Sequence, residues 1–322
     1  MISERLNAFL WEHGVSPNTR RVIDAHIRKG TDGHAYVVAG ARGTGTSRVA
    51  RHLMGLLRTQ TTVGSLAVQE VRREAGKRDV TITQVRDLIR HLSFRPMDRH
   101  RSGGIIHDAQ SLTYEAMNAL LKTLEEPHGQ PAIILVTTEV SALLPTIRSR
   151  CWMVRVRTIP ADRIVAFLQE QGFPIDAGRD AAAIALGQTE TAVQYAENPS
   201  RRDDVVQIAT ALAGCFTAPV SERLDTLDEW LPANGRFSDL QERSLHILSI
   251  WRSTVRDILL TQSTASVPLR FPMLRTAYDR IARRFTRSAL LSAARESDSA
   301  HHDVVHNVQP RLRLESLMLT CT

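Results

Sequence analysis

The chain has 322 residues, 43% of them apolar and 23% charged, with a formal net charge of +7. That length exceeds one ordinary compact core and predicts two or three domains. No run approaches the roughly 18 unbroken apolar residues needed to span a bilayer. The opening MISERLNAFLWEHG has charges inside its apolar stretch, so a signal peptide is not expected and a cytoplasmic location is. Cys151, Cys215 and Cys321 are far apart and in no CxxC pair, which excludes a disulfide framework and a structural zinc site. The basic balance fits a nucleic-acid or acidic partner. It fits equally a solvated arginine-rich surface from a GC-rich genome, because lysine occurs only at Lys29, Lys77 and Lys122.

In chain order, residues 1–30 read as helical, with Leu6, Phe9, Leu10, Val22, Ile23 and Ile27 near helical spacing. HAYVVAG reads as a buried strand and SRVARHLMGLL as the helix after it. A second strand is expected over Val63–Val71, then the helix TQVRDLIRHLS and the strand GGIIHDA. The helix TYEAMNALLKTLEE, the strand AIILVTT and the segment LLPTIRSRCWMVRV follow. Strands alternating with helices over about 35–157 predict a parallel α/β sheet with crossover helices. Beyond Pro160 no strand pattern returns. Short helices are expected to about residue 200, and helices from there onward, with one break at TQSTASVPLR.

Gly40 to Ser47 reads GARGTGTS between a strand and a helix. A phosphate-binding loop needs glycines for its turns, a helix N-terminus facing the anion, a lysine over the phosphates and a hydroxyl for magnesium. Gly40, Gly43, Gly45 and Ser47 supply the first and last of these, whereas Thr46 stands where the lysine belongs. A plain glycine-rich turn would explain the glycines alone. Asp108, at the end of GGIIHDA, suits a magnesium-side carboxylate, but Ala109 occupies the position where a water-orienting glutamate is usual. The site is therefore expected to bind ATP weakly or not at all, with no cofactor and no zinc.

Leu112–Cys151 carries NALLKTLEEP, a strand ending in TT, and LLPTIRSRC, and it closely resembles the clamp-loader subfamily of the AAA+ proteins. The His34-Ala35-Tyr36 lead-in and NVQPRLRLESLML at 307–319 are similar to that family as well. The resemblance implies an AAA+ P-loop domain over 1–158, a small helical lid over 159–203 and an all-α collar over 204–322. It assigns Arg150 of Ser149-Arg150-Cys151 as an arginine finger acting in trans on a neighbour's nucleotide. A fixed guanidinium fork suits charge developing on a transferring phosphoryl group. Pairing of Arg150 with a local carboxylate is the plainer alternative. Arg148 is expected on extended chain, pointing the same way. Thr137 or Thr138 matches the sensor-1 position, although strand-end threonines also cap. Glu190 replaces the basic sensor-2 residue and should repel phosphates. The four-cysteine zinc module common in the family has no counterpart.

Three readings follow. The first is a non-hydrolysing clamp-loader subunit, partnered by the other subunits of a pentamer, the sliding clamp and primer-template DNA. The second is an ATPase subunit of the same family, which would need the missing lysine and an Asp-Glu pair. The third is a DNA-binding module outside replication, which leaves NALLKTLEEP and SRC unexplained. The arginines at 275, 280, 283, 284 and 287 form either a contact surface or a solvated helix face.

Overall fold

A computed structural model describes residues 2–29, 35–58, 68–74, 77, 79–93, 102–126, 131–232, 235–263, 267–306 and 308–320. His34, Asn307, Cys321 and residues 63–67 of the expected second strand lie outside them. The chain forms two compact units: Met1–Gly178 with Gly187–Val193, and Arg179–Leu186 with Gln194–Thr322. The segment expected as a lid is thus divided between the two.

The first unit is built on five parallel strands: β1 Ala35–Ala39, β2 Val68–Val71, β3 Gly103–Ile106, β4 Ala132–Thr137 and β5 Trp152–Arg155. Their order is β2-β3-β4-β1-β5, with Val37 beside Leu135 on one side and Met153 on the other. β1, β3 and β4 are buried along their whole length, which is why they read as unbroken apolar runs. The edge strand β5 exposes Trp152 and buries Val154.

Helices α1 (Ile2–Gly14), α2 (Pro17–Lys29), α3 (Thr46–Arg58), α4 (Ile82–Ser93) and α5 (Tyr114–Glu125) accompany the sheet. α3 buries Val49, Leu53 and Leu57 at four-residue intervals, and α5 does the same with Ala116, Leu120 and Leu124. The Thr113 hydroxyl accepts from Ala116 N–H and caps α5. Pro145–Arg148 forms a single helical turn, α6, so Arg148 ends a helix where extended chain was expected. Proline at its first position presets the turn. Three helices follow: α7 Ala161–Glu170, α8 Ile175–Ala185 and α9 Thr189–Glu197.

The second unit contains α10 Pro199–Cys215, α11 Val220–Trp230, α12 Phe237–Thr261, α13 Arg275–Arg284, α14 Arg287–Val305 and α15 Pro310–Thr320. No strand occurs beyond β5 among the described residues. α12 is buried on several sides and carries Trp251, which is fully buried and stacked on Phe216 with ring centroids 5.1 Å apart. Buried Asp257 accepts from Phe271 N–H at 3.0 Å and from Arg256 at 2.8 Å. Arg270 donates to the Ile184 carbonyl and the Ser253 hydroxyl. Arg223 ties α11 to α15 through the Met318 carbonyl. Asp257 and Arg223 are buried with these partners, as buried charges require, and Arg270 is partly buried.

Candidate functional site

The glycine-rich loop leaves β1 at Gly40, whose N–H donates to the Thr137 carbonyl at the end of β4. Gly43 and Gly45 have φ of +79° and +89°, a region that other L-residues occupy only with strain. Space is as restrictive as conformation. A Cβ on Gly40 would lie 2.6 Å from the Val156 carbonyl oxygen, on Gly43 2.1 Å from Thr191 Oγ1, and on Gly45 2.4 Å from Leu10 Cδ1. Thr44 is buried and donates its hydroxyl to the Ala41 carbonyl, closing the turn. Thr46 opens α3, and its short side chain sets no positive charge over the loop.

Ser47, the hydroxyl expected to face magnesium, meets His107 rather than Asp108. Ser47 Oγ lies 3.0 Å from His107 Nδ1, and His107 Nε2 lies 3.1 Å from Glu70 Oε2. A carboxylate only accepts, so Nε2 carries the ring proton and Nδ1 accepts from Ser47. Burial, reinforced by the nearby Arg72 charge, holds the imidazole pKa below its ordinary value. Glu70 also accepts from Arg51 at 2.7 and 3.0 Å and from Arg72 at 2.9 Å. Hydrogen bonding from Arg51, and secondarily from Arg72, pulls its pKa down to about 2. A neutral ring and a paired carboxylate therefore occupy the magnesium side of the loop.

Asp108 lies one residue too far along. It is exposed, in the left-handed region with φ 50°, where aspartate is tolerated. Its carboxylate is 3.5 Å from Gln110 Nε2, and its carbonyl accepts from Ser111. Ala109 is buried. Gln110 Oε1 in turn lies 3.0 Å from the Thr137 hydroxyl and accepts from Thr138 N–H at 3.2 Å. Thr137 also caps its own strand end, accepting from Glu139 N–H at 3.0 Å. Among the described residues no group of three or more His, Cys, Asp or Glu side chains is placed to hold a metal.

The segment 187–191 sits directly on the loop. Glu190 N–H donates to the Gly43 carbonyl at 3.0 Å, and Gly187, with φ +80°, accepts from Ile159 N–H at 2.9 Å. The Glu190 carboxylate is not left free to repel an anion. It forms an ion pair with Arg48 Nε at 2.9 Å, and Arg48 also donates to Ser3 on α1.

Arg150 lies in the turn between α6 and β5. It pairs with Glu125 at the end of α5 at 2.8 Å and donates to the Thr146 carbonyl at 3.0 Å. Its side chain keeps 36% exposure, so it can swing outward. Ser149 donates to the Thr146 carbonyl, and Arg148 is exposed and makes no ion pair among the described residues. The Cys151 thiol packs at the edge of the sheet core, where burial pushes its pKa up to about 12 and makes it unreactive. The sequence-predicted residues therefore form two groups, one around the loop and one at the β5 turn. His107, Glu70, Arg48 and Gln110 were missed.

Residues 15–160 match the family described as DNA polymerase III, delta subunit. Over that stretch, a little under half of its length, the chain is similar to clamp-loader subunits of DNA polymerase III. A delta-prime subunit of DNA polymerase III from Pseudomonas aeruginosa is 30% identical over 135 residues, 37% of this chain and 41% of that protein. A gamma subunit from Buchnera aphidicola is 28% identical over 151 residues, 42% of this chain and 41% of that protein. The chain thus spans about two fifths of the length of these relatives. A Thermotoga maritima gamma-subunit-related protein of known structure is 17% identical, with 93% of this chain and 98% of that one covered, at a TM-score of 0.43. The family match takes in the loop, His107 and Arg150, and it ends before Glu190 and the second unit.

Proposed function

We propose that this chain is a non-hydrolysing, delta-prime-like subunit of a DNA polymerase III clamp loader. It acts in the cytoplasm, assembles with the other subunits into a pentamer, and helps place the sliding clamp on primed DNA. Its own nucleotide site is inactive, and Arg150 serves a neighbouring ATPase subunit in trans. The observation that carries the reading is the pairing of Ser47 with neutral His107. Magnesium needs hard oxygen ligands, commonly a carboxylate beside the loop hydroxyl, and a neutral imidazole is a poor substitute. With Thr46 in the lysine position, both positive charges that normally bind the β- and γ-phosphates have no support here. The helical second unit supplies the collar through which the subunits associate. Its α15 leaves Leu312 and Leu319 exposed on one face, which suits such packing.

The competing reading is an ATPase subunit of the gamma or tau type, favoured by the likeness to the Buchnera gamma subunit. Equilibrium binding of fluorescent ATP with magnesium to the isolated chain separates the two. The delta-prime-like reading expects no saturation at micromolar nucleotide and no turnover. Micromolar affinity accompanied by hydrolysis would establish the ATPase reading instead.

A further inference from the structure

α13 and the start of α14 carry five arginines that are exposed: Arg275, Arg280, Arg283, Arg284 and Arg287. Among the described residues none of the five makes an ion pair or hydrogen bond through its side chain, and Asp279 is the one acid interspersed with them. Other arginines of the same unit are neutralised: Arg252 by Asp298, Arg256 by Asp257, Arg313 by Glu296 and Asp303. At 3.6 residues per turn, Arg280, Arg283 and Arg284 fall within an arc of about 100°. Tyr278 and Ile281 are buried on the opposite side and fix which face looks outward. Like charges so close repel one another, and among the described residues no ion pair relieves them.

We propose that this arginine face is a docking surface for the phosphate backbone of duplex nucleic acid. Guanidinium groups bind phosphate oxygens through two parallel N–H bonds, and a row of them tracks a backbone without reading its sequence. A protein partner would need a buried apolar or aromatic anchor to give affinity. Between residues 275 and 290 no large apolar side chain is exposed, and the exposed residues that flank this stretch, Met273 and Leu291, are aliphatic and lie beyond its two ends. The same lack of exposed aromatic rings disfavours single strands, which bind by stacking on them. The ten residues of α13 extend over about 15 Å, the rise of roughly four base pairs. The surface lies outside residues 15–160 and does not depend on the clamp-loader reading.

The test is fluorescence anisotropy of a labelled 20-base-pair duplex with the full chain, titrated at several salt concentrations. The variant is Arg280→Ala/Arg283→Ala/Arg284→Ala. Its control, Arg201→Ala/Arg236→Ala/Arg295→Ala, removes the same charge from other exposed positions of the same unit. Each neutralised phosphate contributes about −0.9 to the slope of log affinity against log salt. The α13 variant should lose about 10-fold or more in affinity at low salt and flatten the slope by about 2, and the control should change little. Equal losses in the two variants, or no salt-dependent duplex binding by the wild type, would overturn the proposal. So would tighter binding of polyglutamate than of duplex, which would mark the face as a site for an acidic protein. Should circular dichroism show the alanine variant unfolded, the glutamine triple at the same positions gives the same comparison.

Discussion

His107 decides how the loop behaves, because it stands between a serine hydroxyl and a carboxylate that two arginines already hold. Its titration, with that of Glu70, links the stability of this corner to pH. Both groups have folded-state pKa values below their unfolded ones. Each therefore contributes stability that is complete above its unfolded pKa and is lost as pH falls through the folded value. For His107 the loss begins near pH 6.5, and for Glu70 it runs from about 4.5 down to about 2. Urea denaturation of wild type and Glu70→Gln, measured from pH 7 to 3, should show the difference between them shrinking below pH 4.5. A difference that stays constant with pH would mean that the Glu70 carboxylate is not held by Arg51 and Arg72 as described. None of this network was visible in the sequence. Arg51 and Glu70 are 19 residues apart and His107 and Glu70 are 37 apart, and only the pairing of β2 with β3 unites them.

At the scale of elements, the strands and helices of the sheet unit were legible because their burial imposes the pattern. Central strands buried on both faces need unbroken apolar runs, and amphipathic helices need three- and four-residue spacing. The α6 turn escaped this reading because four residues carry no period, and only Pro145 hints at it. The contact of α9 with the loop escaped it too. Glu190 and Arg48 are 142 residues apart, so a carboxylate that looks repulsive in isolation proves to have a partner. That ion pair is partly exposed and contributes at most about 1 kcal/mol. The tighter constraint is Gly43, which must keep positive φ beneath Thr191 and Gln188. Gly43→Ala should destabilise the chain by about 2 kcal/mol or more, from left-handed strain and the clash together. Chemical denaturation measures it, and a change under about 0.5 kcal/mol would show that α9 does not close on the loop.

At the scale of the molecule, the residue with the farthest consequence is Arg150. Glu125 holds it within its own chain, at a surface where it stays accessible. A partly exposed pair of this kind is weak, so a phosphate with developing negative charge competes for the guanidinium easily. On the proposed delta-prime-like reading, Arg150→Ala in a loader reconstituted with the other subunits should leave assembly intact and reduce the DNA- and clamp-stimulated ATPase by about 10-fold or more. An unchanged rate would refute the trans role and leave Arg150 as a local strut. The motif LLPTIRSRC made the position of this arginine legible, but its resting partner was not, since Glu125 belongs to a different helix.

The loop braced by Leu10, Thr191 and the Arg48–Glu190 pair has a consequence for how the protein is produced and kept. Proteins that rely on a bound nucleotide gain stability with its concentration, and they weaken when a cell starves. On the non-hydrolysing reading proposed above, the chain's own side chains take over that bracing, and the sheet unit is expected to fold without a small molecule. On that reading its lifetime in a cell would be set by its internal contacts, insensitive to the energy state of its surroundings, and added ATP with magnesium would leave its melting temperature unchanged.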